Sequence, residues 1–386
     1  MVQPGLEVAD IFRDHGPAWR HQNTGHLSVG QLKAMAAIEC CRSAALGGHV
    51  LHCGACDTQQ IAYNSCRNRH CPKCQGASAK RWLADREADL LPVEYYHVVF
   101  TLPVEIGNIA YQNKAVVYDL LFKATAETLR IIAADPKHLG VKLGFTAVLH
   151  TWGSAMTHHP HLHCIVPGGG LSPEDRWLSC KPGFFLPVRV LSSLFRRVFL
   201  RQLVGAHDRL KFYGQLQHLA DTKAFTAYLA PSTRVKWVVY AKRPFSGPQA
   251  VLAYLSRYTH RVAISNRRLV SCDEQGVTFK WTDYRAKSNQ RNKTMQLATG
   301  EFIRRFLIHI LPLGFHRIRH FGLFTNHART KNLHLIRCQL GNVGPNEQTA
   351  TQLKENDSPT FVCPVCHAPM TIIDILQRFD RPRAPP

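Results

Sequence analysis

The chain is short of acid and lacks any long apolar run. Asp and Glu number 26 against 48 Lys and Arg in 386 residues, a formal net charge of +22. A surface this basic repels itself and calls for an anionic partner. Nucleic acid is the first candidate and an anionic membrane surface the second. No stretch of about 18 or more apolar residues occurs, so no spanning helix is expected. The N-terminal MVQPGLEVADIFRDHG carries acidic residues and lacks the short apolar core of a secretory signal. The expected location is therefore the cytoplasm, on the nucleoid through DNA, with no membrane partner. Hydrophobic residues are not scarce: at 45% they match ordinary globular proteins. The length suggests two or three domains.

Long periodic segments are few in residues 41–76, which are dense in Cys, Gly and His. A metal rather than an apolar core would hold such a stretch together. Residues 1–40 read as helical, and 77–91 as a charged amphipathic helix ended by Pro92. From Tyr95 the texture changes. YYHVVFTLP reads as a buried strand, 108–133 as one long amphipathic helix, 143–152 as a strand, and 161–170 as a strand closed by three glycines. The short gap between the last two strands, with Gly153 and Pro160, predicts an antiparallel hairpin. Helices are expected over 188–205, 248–261 and 300–311, and strands over 235–242 and 277–284. Mixed helices and hairpins make the fold class α+β. The expected units are a helical and zinc-binding domain over 1–92, a catalytic domain over 93–330, and a polar linker with a short tail over 331–386.

Of the 13 Cys, six lie between Cys41 and Cys74. Clustered Cys at short spacing in a cytoplasmic protein read as metal ligands rather than disulfides. Cys53/Cys56 and Cys71/Cys74 are two Cys-x-x-Cys knuckles separated by fourteen residues, and together they offer a tetrahedral sulfur shell for a structural Zn²⁺. Cys41, His49, Cys66 and His70 offer four further ligands for a second ion; a single zinc with reduced spectator thiols needs fewer coincidences. Arg67, Asn68, Arg69 and Lys73 give the module a basic face, for DNA or for solvent. Cys363 and Cys366 are half of another knuckle, with Cys338, His334 or His367 as candidate completions.

Residues 158–163 read His-His-Pro-His-Leu-His. On a strand, His161 and His163 share one face and Leu162 turns to the other. Two imidazoles on a rigid face suit a divalent metal with positions left open for a phosphate oxygen. His150 on the preceding strand is the expected third ligand, and His159 is its rival.

HHPHLHCIVPGGG resembles the His-hydrophobic-His motif of HUH endonucleases, the group of replication initiators, relaxases and single-strand transposases. NSCRNRHCPKCQ at 64–75 resembles the zinc domain of two-tyrosine rolling-circle insertion-sequence transposases. YLSRYTHRVAISNRRL at 254–269 and EFIRRFLIHILPLGFHRIRHFG at 301–322 resemble later blocks of that family, so the likeness runs in order over roughly residues 30–325. It implies an HUH-endonuclease-like antiparallel sheet flanked by helices and preceded by a small zinc-binding domain. It also implies Tyr254 and Tyr258 as nucleophiles, Mg²⁺ or Mn²⁺ at the histidines, and single-stranded DNA at element ends and target as partner.

Residue chemistry agrees with that reading of the tyrosines. Four apart on a helix, Tyr254 and Tyr258 share a face. An isolated pair of this kind is ordinarily core, but Arg257, His260, Arg261, Arg267 and Arg268 surround these two and suit a phosphate better. Arg317 and Arg319 lie in a second basic and aromatic stretch expected to contact DNA. Trp281, in an alternating strand, reads as core at least as well as it reads as a stacking ring. The competing functions are a zinc-containing DNA-binding regulator without chemistry and a replication initiator of the same chemistry. A regulator has no need of the histidine strand and the tyrosine helix together.

Overall fold

Strands form where β-branched and aromatic residues alternate or run together, and helices where apolar residues recur every three or four positions. The computed structural model describes residues 5–75, 87, 89–183, 185–242, 250, 262–284, 286, 290–341 and 361–378. The helices expected over 77–91 and 248–261 fall almost wholly outside them. In chain order the described strands are β1 (Gly48–His52), β2 (Gln59–Tyr63), β3 (Tyr95–Thr101), β4 (Gly144–Trp152), β5 (His158–Pro167), β6 (Gly169–Leu171), β7 (Trp177–Ser179), β8 (Val239–Lys242), β9 (Leu269–Asp273), β10 (Gly276–Thr282), β11 (Asn292–Leu297), β12 (Ile318–Gly322) and β13 (Thr371–Leu376).

The central element is an antiparallel five-stranded sheet in the order β12-β4-β5-β3-β8, with the histidine strand in the middle. Its two faces differ in chemistry. Val98 and Phe100 of β3, Ala147 and Leu149 of β4, and Leu162, Cys164 and Val166 of β5 point into the main core. The helices Val104–Gln112, Lys114–Ala134 and Val188–Val204 cover that face through Ile106, Leu121, Phe122, Phe195 and Phe199. The opposite face carries the histidines and opens to a cleft. The fold is α+β as the residue pattern predicts.

Three local expectations are revised. The helix expected over 108–133 is two helices broken at Asn113, whose side chain donates to the carbonyls of Ile109 and Lys211 and accepts from the Lys211 N–H. These bonds compete with helix continuation, the usual behaviour of asparagine at helix ends. β5 ends at Pro167, directly before the three glycines, and two of these begin a further strand. Gly169 and Gly170 form β6, because a Cβ on Gly170 would sit 2.3 Å from the Lys142 carbonyl oxygen and one on Gly169 2.5 Å from that of Leu178. Residues 371–376 do not stand apart as a tail: β13 pairs antiparallel with β1 in a sheet ordered β13-β1-β2.

A second core joins the N-terminal helices Val8–Gln22 and Val29–Glu39 to the β9–β11 sheet and the helix Thr299–Leu307, with Phe12, Met35, Phe279, Phe302 and Phe306 at its centre. Arg69 donates to the carbonyls of Phe315 and Pro312, and Lys73 pairs with Glu7. Two of the cations expected on a free basic face of the zinc module thus hold it to the rest of the chain.

Leu162 is fully buried, and its removal leaves a cavity behind the histidine face. Leu162→Ala is expected to cost about 2–5 kcal/mol, read as a lowered thermal unfolding midpoint of the purified protein; an unchanged midpoint would show that this layer is loosely packed.

Candidate metal centre and nucleic-acid cleft

Strand register brings the histidines together. His150 of β4 lies directly opposite His161 of β5, and His163 follows two positions on, on the same face. Ring centroids are 5.5 Å apart for His150 and His161, 4.5 Å for His150 and His163, and 4.9 Å for His161 and His163. One nitrogen from each lies within 4.8 Å of the other two, close enough for all three to meet one ion. His159, the rival ligand, is outside this group: its exposed ring is 5.2 Å from that of His161. His158 is structural, with Nε2 2.8 Å from the Tyr118 hydroxyl.

Neighbouring atoms orient the ligands. His161 Nδ1 donates to the His159 carbonyl at 2.6 Å, which turns Nε2 toward any shared ion. His163 Nδ1 is 2.7 Å from Nε2 of buried His97 on β3, with the two rings stacked at 6°. An ion held by His163 would therefore use Nε2, and Nδ1 would carry the proton shared with His97, the arrangement that orients metal-bound imidazoles. Trp152 stacks on His150 at 4.7 Å and 18°, closing one side. His97 was not anticipated; the only signal was a single polar residue within the apolar run YYHVVFT.

The histidines form the floor of a cleft of about 1740 Å³. That exceeds the roughly 300–1,000 Å³ typical of small-molecule sites and fits a polymer. The opposite wall comes from the β9–β11 sheet and its flanks, with Arg268, Lys280, Arg291 and Lys293 beside Trp281 and Tyr284; the described lining contains no carboxylate. Trp281 is half-buried, packed on the second core and facing the cleft. Lys293 lies 5.9 Å over its ring and pairs with Asp283.

The remaining cations divide. Arg268 lines the cleft while donating to the carbonyls of Lys280 and Ser154, and Arg267 is exposed beside it. Arg257 and Arg261, with both tyrosines, lie outside the described residues. Arg317 and Arg319 must be corrected. Arg317 is buried, donates to Gln75 and is pulled down to about 10 by burial. Arg319 pairs with Asp119 at 2.7 Å and stacks 4.3 Å over Phe122. Both guanidinium groups serve the fold.

The cysteines also regroup. Cys41, Cys66, Cys71 and Cys74 converge on one point, and Cys53, Cys56, Cys363 and Cys366 on another, each set with its sulfurs within 4.8 Å. The expected quartet Cys53, Cys56, Cys71 and Cys74 is thus split between two centres. The expected second set is dissolved: Cys41 and Cys66 join Cys71 and Cys74, His49 faces the Phe361 ring at 6.4 Å, and His70 accepts from the Leu311 N–H. Cys338 contacts His334 and joins neither group. Within the first group the sulfurs are mutually incompatible as free thiolates. Hydrogen bonds from Cys41 and Cys66 hold Cys74 far below the usual thiol value, while its neighbours push Cys71 far above it. A divalent cation removes that conflict.

Two family models match the chain: one described as "Transposase zinc-binding domain" over residues 11–102, and one described as "Putative transposase" over residues 144–332. "Putative transposase y4qJ" of Sinorhizobium fredii (strain NBRC 101917 / NGR234) is 54% identical over 397 residues, covering 100% of this chain and 98% of that protein. This chain is a member of the HUH rolling-circle transposase family with an N-terminal zinc-binding domain. The "Transposase for insertion sequence element IS801" of Pseudomonas savastanoi pv. phaseolicola is 26% identical over 80% of the transposase and 74% of its own length. Among solved structures, the conjugative relaxase TrwC in complex with OriT DNA aligns over 67% of the transposase and 96% of that chain at 12% identity and a TM-score of 0.25. Among the described residues no helix is long and apolar enough to cross a membrane. The zinc-binding domain and the cysteine clusters support structural zinc, and the transposase is an enzyme of HUH-type chemistry.

Burial pulls His158 and His161 down to about 4, and His70 to about 3. Unfolded, these rings protonate near pH 6.5. Below that pH the unfolded chain binds more protons than the folded one, so stability falls as pH drops from about 6.5 toward 4. Thermal midpoints of the metal-free transposase measured stepwise across that window should decline; a flat profile would show that these imidazoles protonate normally in the fold.

Proposed function

We propose that the transposase cleaves and rejoins single-stranded DNA at element ends and target through 5′-phosphotyrosyl intermediates. Tyr254 and Tyr258 are the nucleophiles, and His150, His161 and His163 hold a divalent ion. The observation that carries this reading is the convergence of three oriented imidazoles on the floor of a basic cleft. The donor set fits a divalent transition ion. Three neutral nitrogens favour Mn²⁺ over Mg²⁺, which prefers oxygen. Such an ion supplies charge stabilisation at the scissile phosphate while keeping positions open for its oxygen.

Residues on either side of the tyrosine segment in sequence line this cleft. Tyr240 of β8 precedes it and Arg268 follows it, and both line the cleft. Attack by a phenol oxygen forms a P–O bond and breaks the bond to the 3′ oxygen. The phenol gives up its proton, and the released 3′ oxygen takes one. One phosphodiester replaces another, so no nucleotide cofactor is needed, and a 3′-OH from another strand reverses the step. A phenol of pKa about 10 is a weak nucleophile at neutral pH, which is why charge stabilisation at the phosphate matters. Arg267, Arg268, Lys280 and Arg291 contact the DNA backbone, with Trp281 and Tyr284 as stacking surfaces. Cys41, Cys66, Cys71 and Cys74 hold a structural zinc. A replication initiator would use the same chemistry. A DNA-binding regulator would leave the buried His97–His163 arrangement without a task.

With Mn²⁺ or Mg²⁺, the purified transposase should become covalently attached to the 5′ end of a cognate single-stranded oligonucleotide. Combined Tyr254→Phe and Tyr258→Phe should abolish the adduct and keep binding, while an adduct that persists refutes the nucleophile assignment. His161→Ala with His163→Ala should likewise abolish cleavage, and full activity would remove the metal from the mechanism.

A further inference from the structure

Cys53 and Cys56 lie in the N-terminal module, and Cys363 and Cys366 in a segment more than three hundred residues later. The structure places Cys53 Sγ 3.4 Å from Cys366 Sγ and Cys56 Sγ 3.5 Å from Cys363 Sγ. These separations are far beyond a disulfide bond of about 2.05 Å. They are close to the edge of a sulfur tetrahedron, roughly 3.8 Å for Zn–S bonds of about 2.3 Å.

The backbone around the two pairs is built alike. In the first, the Asp57 N–H donates to the Cys53 carbonyl at 2.9 Å, and the Cys53 N–H donates to the Thr58 carbonyl at 3.0 Å. In the second, the His367 N–H donates to the Cys363 carbonyl at 3.0 Å, and the Cys363 N–H donates to the Ala368 carbonyl at 2.8 Å. Asp57 and His367, each four residues after the first Cys, both adopt left-handed backbone, with φ of 57° and 60°. Two unrelated stretches of sequence have thus adopted the same knuckle and turned it toward one point.

Apart from the pairing of β13 with β1, little apolar area holds them there. The apolar centre between β1 and the 361–370 segment has Leu51, Cys53, Cys363 and Met370 buried, with Ala62, Phe361 and Ala368 packed against them, and a core this small needs a cross-link. We infer that Cys53, Cys56, Cys363 and Cys366 form a second structural zinc site, separate from that of Cys41, Cys66, Cys71 and Cys74, which clasps residues 361–378 onto the N-terminal module. The zinc-binding family match ends at residue 102 and contains only half of this donor set. Four sulfur ligands fill a tetrahedral shell, so the ion has no position for substrate and its role is structural. Binding displaces the thiol protons to solvent, and its free energy becomes docking energy for β13.

The test is zinc content and Co²⁺ absorption of the full chain. Wild type should hold two ions. Cys53→Ser with Cys56→Ser should hold one, and so should Cys363→Ser with Cys366→Ser. All four changes together should still leave one, because both pairs serve the same ion. In either pair variant the amides of β13 should lose hydrogen-exchange protection while those of β4 and β5 keep theirs, a readout that also shows that the variant is folded. One ion in wild type, two in the 363/366 variant, none in the combined variant, or β13 protection unchanged would each overturn the clasp. DNA cleavage enters none of these readouts, so they stand or fall independently of the tyrosine mechanism.

Discussion

The catalytic half of this transposase depends on one strand having two incompatible faces. Leu162, Cys164 and Val166 must leave water, and His161 and His163 must meet it, or at least a polar cleft. A slip of one residue in β5 would exchange the two sets and lose both the core and the ligand group. The main core beneath the sheet therefore fixes the position of the imidazoles. Every neighbour of the histidines then follows from register: His150 opposite His161, Val99 opposite His163, and His97 two further along β3.

Around this rigid centre the chain solves a different problem, that of attaching small pieces with little apolar area. It does so with buried and half-buried cations and with sulfur. Arg69 gives its guanidinium to two carbonyls beyond the zinc module, Arg317 reaches Gln75 from the sheet side, and Arg319 lies on Phe122 beside Asp119. A buried guanidinium is tolerated when its donors are matched. Part of the large positive charge is therefore structural. Among the described residues, the part that faces the cleft is Arg268, Lys280, Arg291 and Lys293.

Much of this was legible in the residues. The alternation in His-Leu-His, the hairpin between 144 and 167 and the metal-binding character of the cysteines follow from local periodicity and spacing, which the backbone obeys wherever the segment sits. Less legible was the break at Asn113, since a helical period says nothing about a side chain that finds a better partner at Lys211. The basic stretch after Phe315 misled for a related reason. Composition registers charge, but whether a guanidinium meets solvent or a carbonyl depends on what packs above it.

Sequence by itself determined the α+β class, the paired histidines on one face, and the presence of sulfur sites, because each rests on neighbours along the chain. Tertiary structure alone decided which cysteines converge on one point, which histidine completes the trio, and which arginines line the cleft. Cys53 is far closer in sequence to Cys71 than to Cys363, yet it meets Cys363 and Cys366, because β13 pairs with β1. Ligand spacing along the chain limits which donors can share an ion, but strand pairing chooses among them.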